Sequence, residues 1–388
     1  MTKNYELKTL GSVATYINGR AFKPSEWEST GLPIVRIQNL TDKNAKCHYS
    51  SAAYEEKYKI HNGDLLFAWS ASLGAHIWNQ NDAWLNQHIF KVIPNDNIDK
   101  LYLYYFLQKV IAELYLKTHG SGMVHITKGP FMNTPIPVPS YTEQFRIVAR
   151  IEELFSELDK AVDTLKTTKE QLEVYRQAVL KEIFDSVSTT SVHIKDVCLD
   201  IKVGIVIKPT QYYVSENGVP AFRNANVRRG YINDTDWVMI SKEGHQQNCR
   251  SEVHTNDVLI SRSGANLGMA SVVPARYNGY NAIDVVIAVP DISKVIPEFL
   301  AQYTNSPMGR AIVKKNERGA AQGHLNVSAY ANLPIGVPDL QEQEKLVKQI
   351  SDRLSVCDSI EKTVDTALAQ ADEMRQSILK QAFEEGSV

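Results

Sequence analysis

Cysteine is scarce in this chain, and its spacing excludes two common kinds of stabilising site. The 388 residues include four cysteines, at positions 47, 198, 249 and 357, and no two of them form a C-x-x-C pair. We therefore expect neither a disulfide framework nor a structural zinc site. A reducing cytosol suits this composition.

Long hydrophobic runs are also missing. No stretch of 18 apolar residues occurs, and the first twenty residues carry no apolar run of the signal-peptide kind. We expect a soluble, cytoplasmic protein with no membrane partner. The apolar fraction is 43%, and the length suffices for two or three folded domains.

Motifs for catalysis and phosphate binding are absent as well. The pattern G-x-x-x-x-G-K-[ST] does not occur, and Gly120-Ser121-Gly122 is too short to cradle a phosphate. No Ser/His/Asp arrangement, Cys/His arrangement or metal-ligand spacing is recognisable. The chain is expected to carry no chemistry, no metal and no cofactor of its own.

What the chain does contain is an internal repeat at an offset of 199 residues. Residues 135–184 and 334–383 are identical at eighteen of fifty positions, beginning with P-I-P-V-P in the first copy and P-I-G-V-P in the second. A Glu-Gln pair follows each lead-in, at 143–144 and at 342–343. Such self-similarity indicates two structural units of the same kind.

Each copy of the repeat shows a heptad pattern that predicts a long helix of about 60 Å. The two apolar stripes match in length, which favours two helices that bury each other. The alternative is that each helix packs only on its neighbouring domain. The predicted seam at a positions consists of Ile151, Leu158, Leu165, Leu172, Val179, Ile350, Cys357, Val364, Ala371 and Ile378. The d positions are assigned to Leu154, Ala161, Thr168, Tyr175, Ile360, Ala367 and Met374.

Two blocks of mixed α/β character precede these helices. Residues 1–140 contain short β-rich runs and an amphipathic helix near 103–114, followed by a glycine-rich loop. Residues 189–337 repeat this plan loosely, since 33–39 is echoed by 220–226. The segments 1–140, 141–188, 189–337 and 338–388 are the expected domains.

Charge alternates along these four segments, although the net charge is only −2. The two blocks each carry +3, whereas 141–188 carries −3 and 338–388 carries −5. Basic blocks and acidic helices suit blocks that meet a polyanion and helices that meet proteins. Random scatter over a solvated surface also explains differences of this size.

The order of block, helix, block and helix, with its P-I-P-V-P and Glu-Gln lead-ins, resembles the DNA specificity subunit of type I restriction-modification systems. The resemblance covers the whole chain. It implies an α+β fold in which two α/β target recognition domains, 1–140 and 189–337, are joined by two long spacer helices. Those helices are expected to form an antiparallel coiled coil with internal pseudo-two-fold symmetry.

The resemblance also implies a function without catalysis. Members of that family read a split target in double-stranded DNA and hold two modification subunits that methylate adenine at N6, with a motor-nuclease subunit as a further partner in some systems. S-adenosylmethionine would belong to the methyltransferase partner, and ATP and Mg to the nuclease. This chain lacks the glycine-rich cofactor loop and the Asn/Asp-Pro-Pro-aromatic motif of an adenine methyltransferase. Two readers about 34–36 Å apart would face the same side of the duplex.

Candidate DNA contacts are polar residues on loops, because core positions cannot reach a groove. Arg pairs with guanine and Asn or Gln with adenine, while lysines more often hold phosphates. For any single candidate, a solvated or turn-forming side chain is an equal alternative. The first block offers Arg20, Lys23, Arg36, Gln38, Asn39, Ser70, Ser72, Ser121, His125 and Lys128. The second offers Arg223, Asn224, Asn226, Arg228, Arg262, Ser263, Asn266, Arg318, Gln322, His324 and Asn326.

Three ring-bearing residues beside strand patterns, Trp69, Trp84 and His88, are expected in the core rather than against a base. Two other functions stay open: an interaction scaffold whose blocks bind protein, and a nuclease with clustered acidic metal ligands. An affinity that falls steeply with salt would separate DNA binding from a mostly apolar protein contact. Metal-dependent cleavage by the isolated chain would indicate the nuclease.

Overall fold

The structure is a computed structural model that describes residues 5–42, 44–70, 72–117, 128–311 and 324–384, without the side chains of 112–117. It divides into unit 1, Met1–Leu165 with Asp365–Val388, and unit 2, Lys166–Val364. The long helices α5 (Tyr141–Asp185) and α9 (Leu340–Glu384) each contribute one segment to either unit. None of the helices in the described ranges is both long and apolar enough to cross a membrane.

Unit 1 contains two four-stranded sheets and a separate strand pair. The first sheet is antiparallel, with the order β2 (Ala14–Asn18), β9 (Ile89–Pro94), β6 (Leu65–Ala68), β7 (Gly74–Ile77). The second has the order β4 (His48–Ser50), β3 (Leu32–Val35), β8 (Ala83–Leu85), β5 (Lys59–Ile60), with β3 and β8 parallel. The pair consists of β1 (Glu6–Thr9) and β10 (Pro135–Val138).

The core of unit 1 lies where helix α3 covers the first sheet. Four short or medium helices are present: α1 (Leu10–Val13), α2 (Ile37–Thr41), α3 (Lys100–Lys117) and α4 (Lys128–Met132). The apolar face of α3 includes Leu103, Phe106 and Leu107, which are buried in one cluster with Phe67 and Phe90 of the sheet. The amphipathic helix expected in this region is therefore present.

Unit 2 has the same plan. One sheet has the order β12 (Cys198–Val203), β19 (Val285–Pro290), β16 (Val258–Ser261), β17 (Ala270–Val272), all antiparallel. The other has the order β13 (Tyr213–Val214), β15 (Val238–Ile240), β14 (Val219–Phe222), β18 (Asn281–Ala282), with β14 and β18 parallel. The pair is β11 (Ser191–His193) with β20 (Pro334–Gly336), and the helices of the described residues include α6 (Lys242–Gln247), α7 (Pro297–Asn305) and α8 (Val327–Ala331). The units differ at an edge, because β5 extends β8 in unit 1 whereas β13 extends β15 in unit 2.

The Glu-Gln lead-in ties each long helix to its own globular part. Gln144 is fully buried, and its Oε1 accepts a hydrogen bond from the Asp99 N–H at 2.8 Å. Its Nε2 donates to the carbonyls of Asn97 and Pro139, each at 3.0 Å. Gln343 makes the corresponding three bonds in unit 2. The repeated motif thus has a structural reason.

Ion pairs show how the long helices run within unit 2. Arg176 Nη1 lies 2.6 Å from Asp358 Oδ1, and Arg353 Nη1 lies 3.0 Å from Glu182 Oε1. Residue numbers rise along α5 while those of the partners fall along α9. The helices are therefore antiparallel, as expected for this fold class.

The apolar seam of the long helices differs from the heptad prediction in one of its two columns. All ten a-position residues are buried or half-buried. The assignment of d positions holds only in part, since Leu154 packs against the core whereas Tyr175, Ile360 and Met374 are 45%, 41% and 54% exposed. The second covered column lies four residues after each a position and includes Arg176 and Arg375, whose aliphatic stems cover the seam while their charged ends pair with acids.

Candidate nucleic-acid interface

Three chain segments of unit 1 leave their strands at the same edge. Because β3 and β8 are parallel neighbours, with Val35 opposite Leu85, the residues that follow them emerge together. The Asn86 N–H donates to the Val35 carbonyl at 3.1 Å. Strand β6 pairs with β9, and the Trp69 N–H reaches the His88 carbonyl at 3.2 Å. The loops that follow β3, β6 and β8 therefore meet.

These loops line a pocket of about 600 Å³. Four predicted contact residues lie on it, namely Arg36, Gln38, Ser70 and Ser72. The other lining residues are Phe22, Trp27, Ile37, Thr41, Asn86, Gln87 and His88. Among these described residues none carries a carboxylate, so the pocket suits an electronegative ligand.

Arg36 is held beside aromatic rings. Its guanidinium lies 5.9 Å from the centroid of Trp27, which stacks on His48 at 3.9 Å between centroids and 21° between planes. Loss of hydration, with smaller contributions from the charges of Lys46 and Arg36, lowers the pKa of His48. The lowered pKa favours a neutral imidazole under the indole ring, which leaves Arg36 as the cation of this wall.

Asn39 and Asn226 serve the fold rather than the surface. The Oδ1 of Asn39 accepts the Arg36 N–H at 3.0 Å, and its Nδ2 donates to carbonyls of the following loop. Asn226 repeats this in unit 2, accepting the Arg223 N–H at 2.9 Å and donating to the Thr235 carbonyl at 2.8 Å. Asn226 has no exposed surface, so its side chain cannot reach a base.

Among the remaining basic candidates of unit 1, Arg20 and Lys23 both adjoin Glu26, whereas Lys128 lies elsewhere. Arg20 Nη2 is 2.5 Å from Glu26 Oε1, and its guanidinium sits 4.2 Å from the ring centroid of Tyr54. The hydrogen bond from Arg20 lowers the pKa of Glu26. Lys23 is exposed, and Lys128 lines a separate pocket of about 190 Å³. Arg20 is thus paired with a carboxylate of its own unit.

In unit 2 the corresponding loops are joined by a polar network around Asp284. Arg262 Nη1 is 2.9 Å from Asp284 Oδ1, and Arg262 Nε donates to the Leu325 carbonyl at 3.2 Å. Asn224 Oδ1 accepts the Arg262 N–H at 2.8 Å, while its Nδ2 donates to Ser263 Oγ at 2.8 Å. The structure therefore brings together three candidates, Asn224, Arg262 and Ser263.

Other candidates of unit 2 occupy the borders of this network. Asn266 Nδ2 donates to the Asn224 carbonyl at 3.0 Å, and Arg223 Nη2 donates to the Asp236 carbonyl at 2.5 Å. Arg228 is half-buried, whereas His324 and Asn326 are exposed, and Asn326 caps α8 by accepting the Ser328 N–H at 2.8 Å. The candidates that lie outside the described residues are Ser121, His125, Arg318 and Gln322.

Sequence reasoning missed Gln87 and misplaced His88. Trp84 is 5% exposed and lies in the core as expected, but Trp69 is half-buried, and its Nε1 donates to Asn18 Oδ1 at 3.2 Å. His88 was expected in the core, yet it is half-buried and lines the 600 Å³ pocket beside Gln87. A signal was present, because the polar triplet at 86–88 separates two apolar strands.

No group of three or more His, Cys, Asp or Glu side chains is placed to hold a metal ion in the described part of the chain. The features that the two sets of loops share are polar side chains and arginines. Base edges and phosphates are recognised by such groups.

Known proteins share both the repeat and the fold. The family model described as type I restriction modification DNA specificity domain matches residues 2–174 and again 180–370. The specificity subunit of the type I restriction enzyme EcoBI from Escherichia coli is 27% identical, over 97% of this chain and 84% of the relative. The EcoKI specificity subunit from Escherichia coli strain K12 is 20% identical, over 99% and 89% respectively.

Two solved structures are similar in fold. One is a chain from work on complex assembly and conformational transition of the type I R-M system, with a TM-score of 0.71, 20% identity and full coverage of both chains. The other is the HsdS subunit of Thermoanaerobacter tengcongensis, with a TM-score of 0.51, 19% identity and coverage of 99% and 97%. Because the family model matches both halves of the chain, this protein belongs to the type I restriction-modification DNA specificity family, whose members are non-catalytic DNA-recognition subunits.

Proposed function

We propose that this chain reads a bipartite target in double-stranded DNA, one half-site with residues 1–140 and the other with residues 189–337. The segments 141–188 and 338–388 serve as spacer helices. The observation that carries the proposal is that one loop architecture is built twice, with polar groups at corresponding strand ends but different side chains. Two similar readers with different loops suit two different half-sites.

The proposed contacts of the second reader centre on Arg262. Its guanidinium is fixed by Asp284 and by the Leu325 carbonyl, and its side chain is 17% exposed. A side chain that is already ordered loses less conformational entropy on binding. Since Arg pairs with the O6 and N7 atoms of guanine, Arg262 is the proposed guanine reader of this half-site.

The first reader uses the loops around the 600 Å³ pocket, with Arg36 and Gln38 facing bases and Lys23 holding phosphate. Ser70 and Ser72 complete that surface. Lysines and exposed serines outside the pocket fix the position of the duplex rather than its sequence.

The partners are proposed to be two adenine methyltransferase subunits, which carry S-adenosylmethionine, in a cytoplasmic complex that also accepts a motor-nuclease subunit. The acidic long helices expose apolar side chains to which such subunits can bind. Val174, Val356 and Met374 are 70%, 58% and 54% exposed.

The test maps methylated adenines across the genome of a host that expresses the methyltransferase partner, once with this gene and once without it. We expect a split motif that disappears when the gene is deleted. An unchanged methylation map would remove the basis of the proposal.

The Arg262→Met variant then tests whether the two readers are independent. It should lose about 1–3 kcal/mol of discrimination, or roughly 5- to 150-fold, at one guanine of a single half-site. Arg276→Met is the matched control, because Arg276 is exposed in the turn before β18. A change in both half-sites together would contradict the assignment of one half-site to each block.

A further inference from the structure

The link between β8 and β9 carries two buried polar atoms without a hydrogen-bond partner among the described residues. They are Gln87 Oε1 and His88 Nδ1. A buried polar group left without a partner costs about 1–3 kcal/mol, and folded proteins retain few of them. Both residues line the 600 Å³ pocket together with Arg36.

In the corresponding link of unit 2, the polar side chain is hydrogen-bonded within the fold. Strand β18 ends at Ala282 and β19 begins at Val285, so Asp284 takes the place of Gln87 and His88 in a link that is one residue shorter. The Asp284 carboxylate is already bonded by Arg262 Nη1, at 2.9 Å. The fold can therefore satisfy the polar groups of this link internally, and in unit 1 it does not.

We propose that Gln87 is a specificity-determining residue of the first reader and that its amide pairs with the major-groove edge of an adenine, with His88 beside it in the pocket. This inference rests on the proposed function above. An amide presents one acceptor and one donor, which match the N6 amino group and N7 of adenine. A guanine at that position would set its O6 against the Gln87 carbonyl oxygen and be rejected.

Direct binding measurements with the complete complex of this chain and its methyltransferase subunits test the inference. Fluorescence anisotropy compares the mapped target duplex with duplexes in which each adenine of the first half-site is replaced by purine, which lacks the N6 amino group. The wild-type complex should lose roughly 5- to 150-fold in affinity at one position. Gln87→Met should bind the intact target weaker by a similar factor and show no further loss with purine there.

A second variant should change the preferred base at this position rather than only weaken DNA binding. Gln87→Glu keeps acceptors but lacks the donor, so it should favour cytosine, whose N4 amino group donates to carboxylates, over adenine at the same position. Gln80→Met is the matched control, because Gln80 is exposed in the turn between β7 and β8. It should leave affinity and discrimination unchanged.

Thermal unfolding separates reading from folding. Gln87→Met removes an unpaired polar atom from a buried place, so its Tm should equal or exceed that of the wild type. A lower Tm, or wild-type discrimination at every position of the half-site, would overturn the assignment of Gln87. A wild-type complex without any sequence preference would instead refute the proposed function itself.

Discussion

Replacing Gln144 with leucine tests whether the repeated Glu-Gln motif locks each long helix onto its globular part. The substitution leaves the Asp99 N–H and the carbonyls of Asn97 and Pro139 without the partner that now lies 2.8 to 3.0 Å away. Each orphaned group costs about 1–3 kcal/mol, and the added apolar burial of leucine returns about 2 kcal/mol. Because the contact with Asn97 is only partly buried, we expect a net loss of about 2–4 kcal/mol.

The second copy of the motif supplies the matched experiment. Gln343 Oε1 accepts the Ile296 N–H at 2.8 Å, and its Nε2 donates to the carbonyls of Lys294 and Pro338 at 2.9 and 2.8 Å. Gln343→Leu should therefore destabilise unit 2 by a similar amount. Gln171→Leu is the control, because Gln171 is exposed on α5 and its loss should change stability by less than about 0.5 kcal/mol.

Hydrogen exchange followed by mass spectrometry is the suitable assay, because a single free energy of unfolding is not defined for a chain with two units. Gln144→Leu should accelerate exchange in peptides that contain 97–103 and 139–147, and Gln343→Leu in peptides that contain 294–300 and 338–346. A loss below about 0.5 kcal/mol in either variant would refute the reasoning, because it would mean that water replaces the amide at no cost.

Two further outcomes follow from burial. Arg176 should be the more sensitive of the two repeat-related arginines, because only 12% of its side chain is exposed and two acids lie within 2.9 Å. Arg176→Met is expected to lower stability by about 2 kcal/mol. Arg375 has a side chain that is 34% exposed, so Arg375→Met should lower stability by at most about 1 kcal/mol. Double-mutant cycles with Asp358→Asn and Asp159→Asn measure both, and the reverse order would contradict the burial argument. Burial raises the pKa of the Cys198 thiol to about 12, which keeps it protonated at pH 8, so iodoacetamide should modify exposed Cys249 and spare Cys198 in the native protein. Equal labelling of both cysteines by mass spectrometry would show that Cys198 is accessible.

The repeat predicted the architecture well because equal sequences in equal surroundings make equal contacts. At an offset of 199, Asp159 corresponds to Asp358 and Arg176 to Arg375. The pair Arg176 with Asp358 and the pair Arg375 with Asp159 are therefore the same interaction made once in each unit. The arginine of each helix pairs with the aspartate of the other helix, and two copies of one helix can make both pairs only when they run antiparallel.

The second column of the helix seam was not predictable from apolar spacing. Arg176 and Arg375 stand in that column, and a search for hydrophobic residues passes over arginine. The neighbouring d positions carry apolar residues such as Tyr175 and Met374, which fit the heptad pattern better although they are exposed. A long side chain with an apolar stem and a charged end conceals a buried position from pattern analysis.

The pocket could not be predicted from the sequence for a different reason. Its walls come from the segments after β2, β3, β6 and β8, and only the parallel pairing of Val35 with Leu85 places the ends of β3 and β8 side by side. Propensity and periodicity indicate that strands exist, but not which strands pair across about 50 residues. Arg36 and Gln38 follow β3 and the polar triplet at 86–88 follows β8, but only the pairing of these strands shows that both groups lie on one pocket.

Some polar side chains make the same hydrogen bonds in both units, whereas others differ between the units. This comparison distinguishes side chains that stabilise the fold from candidates for DNA recognition. Asn39 and Asn226 make the same loop bonds, and so do the two lead-in glutamines, which means that these two pairs of amides are satisfied in the same way in both units. Gln87 and Asp284 occupy corresponding places with different chemistry, and Gln87 is unsatisfied. In unit 1 the Gln87 amide leaves a bond unmade that a duplex can complete, whereas in unit 2 Arg262 is already ordered by Asp284 and the Leu325 carbonyl. The two blocks therefore share bonds that keep them folded but offer different side chains to a target.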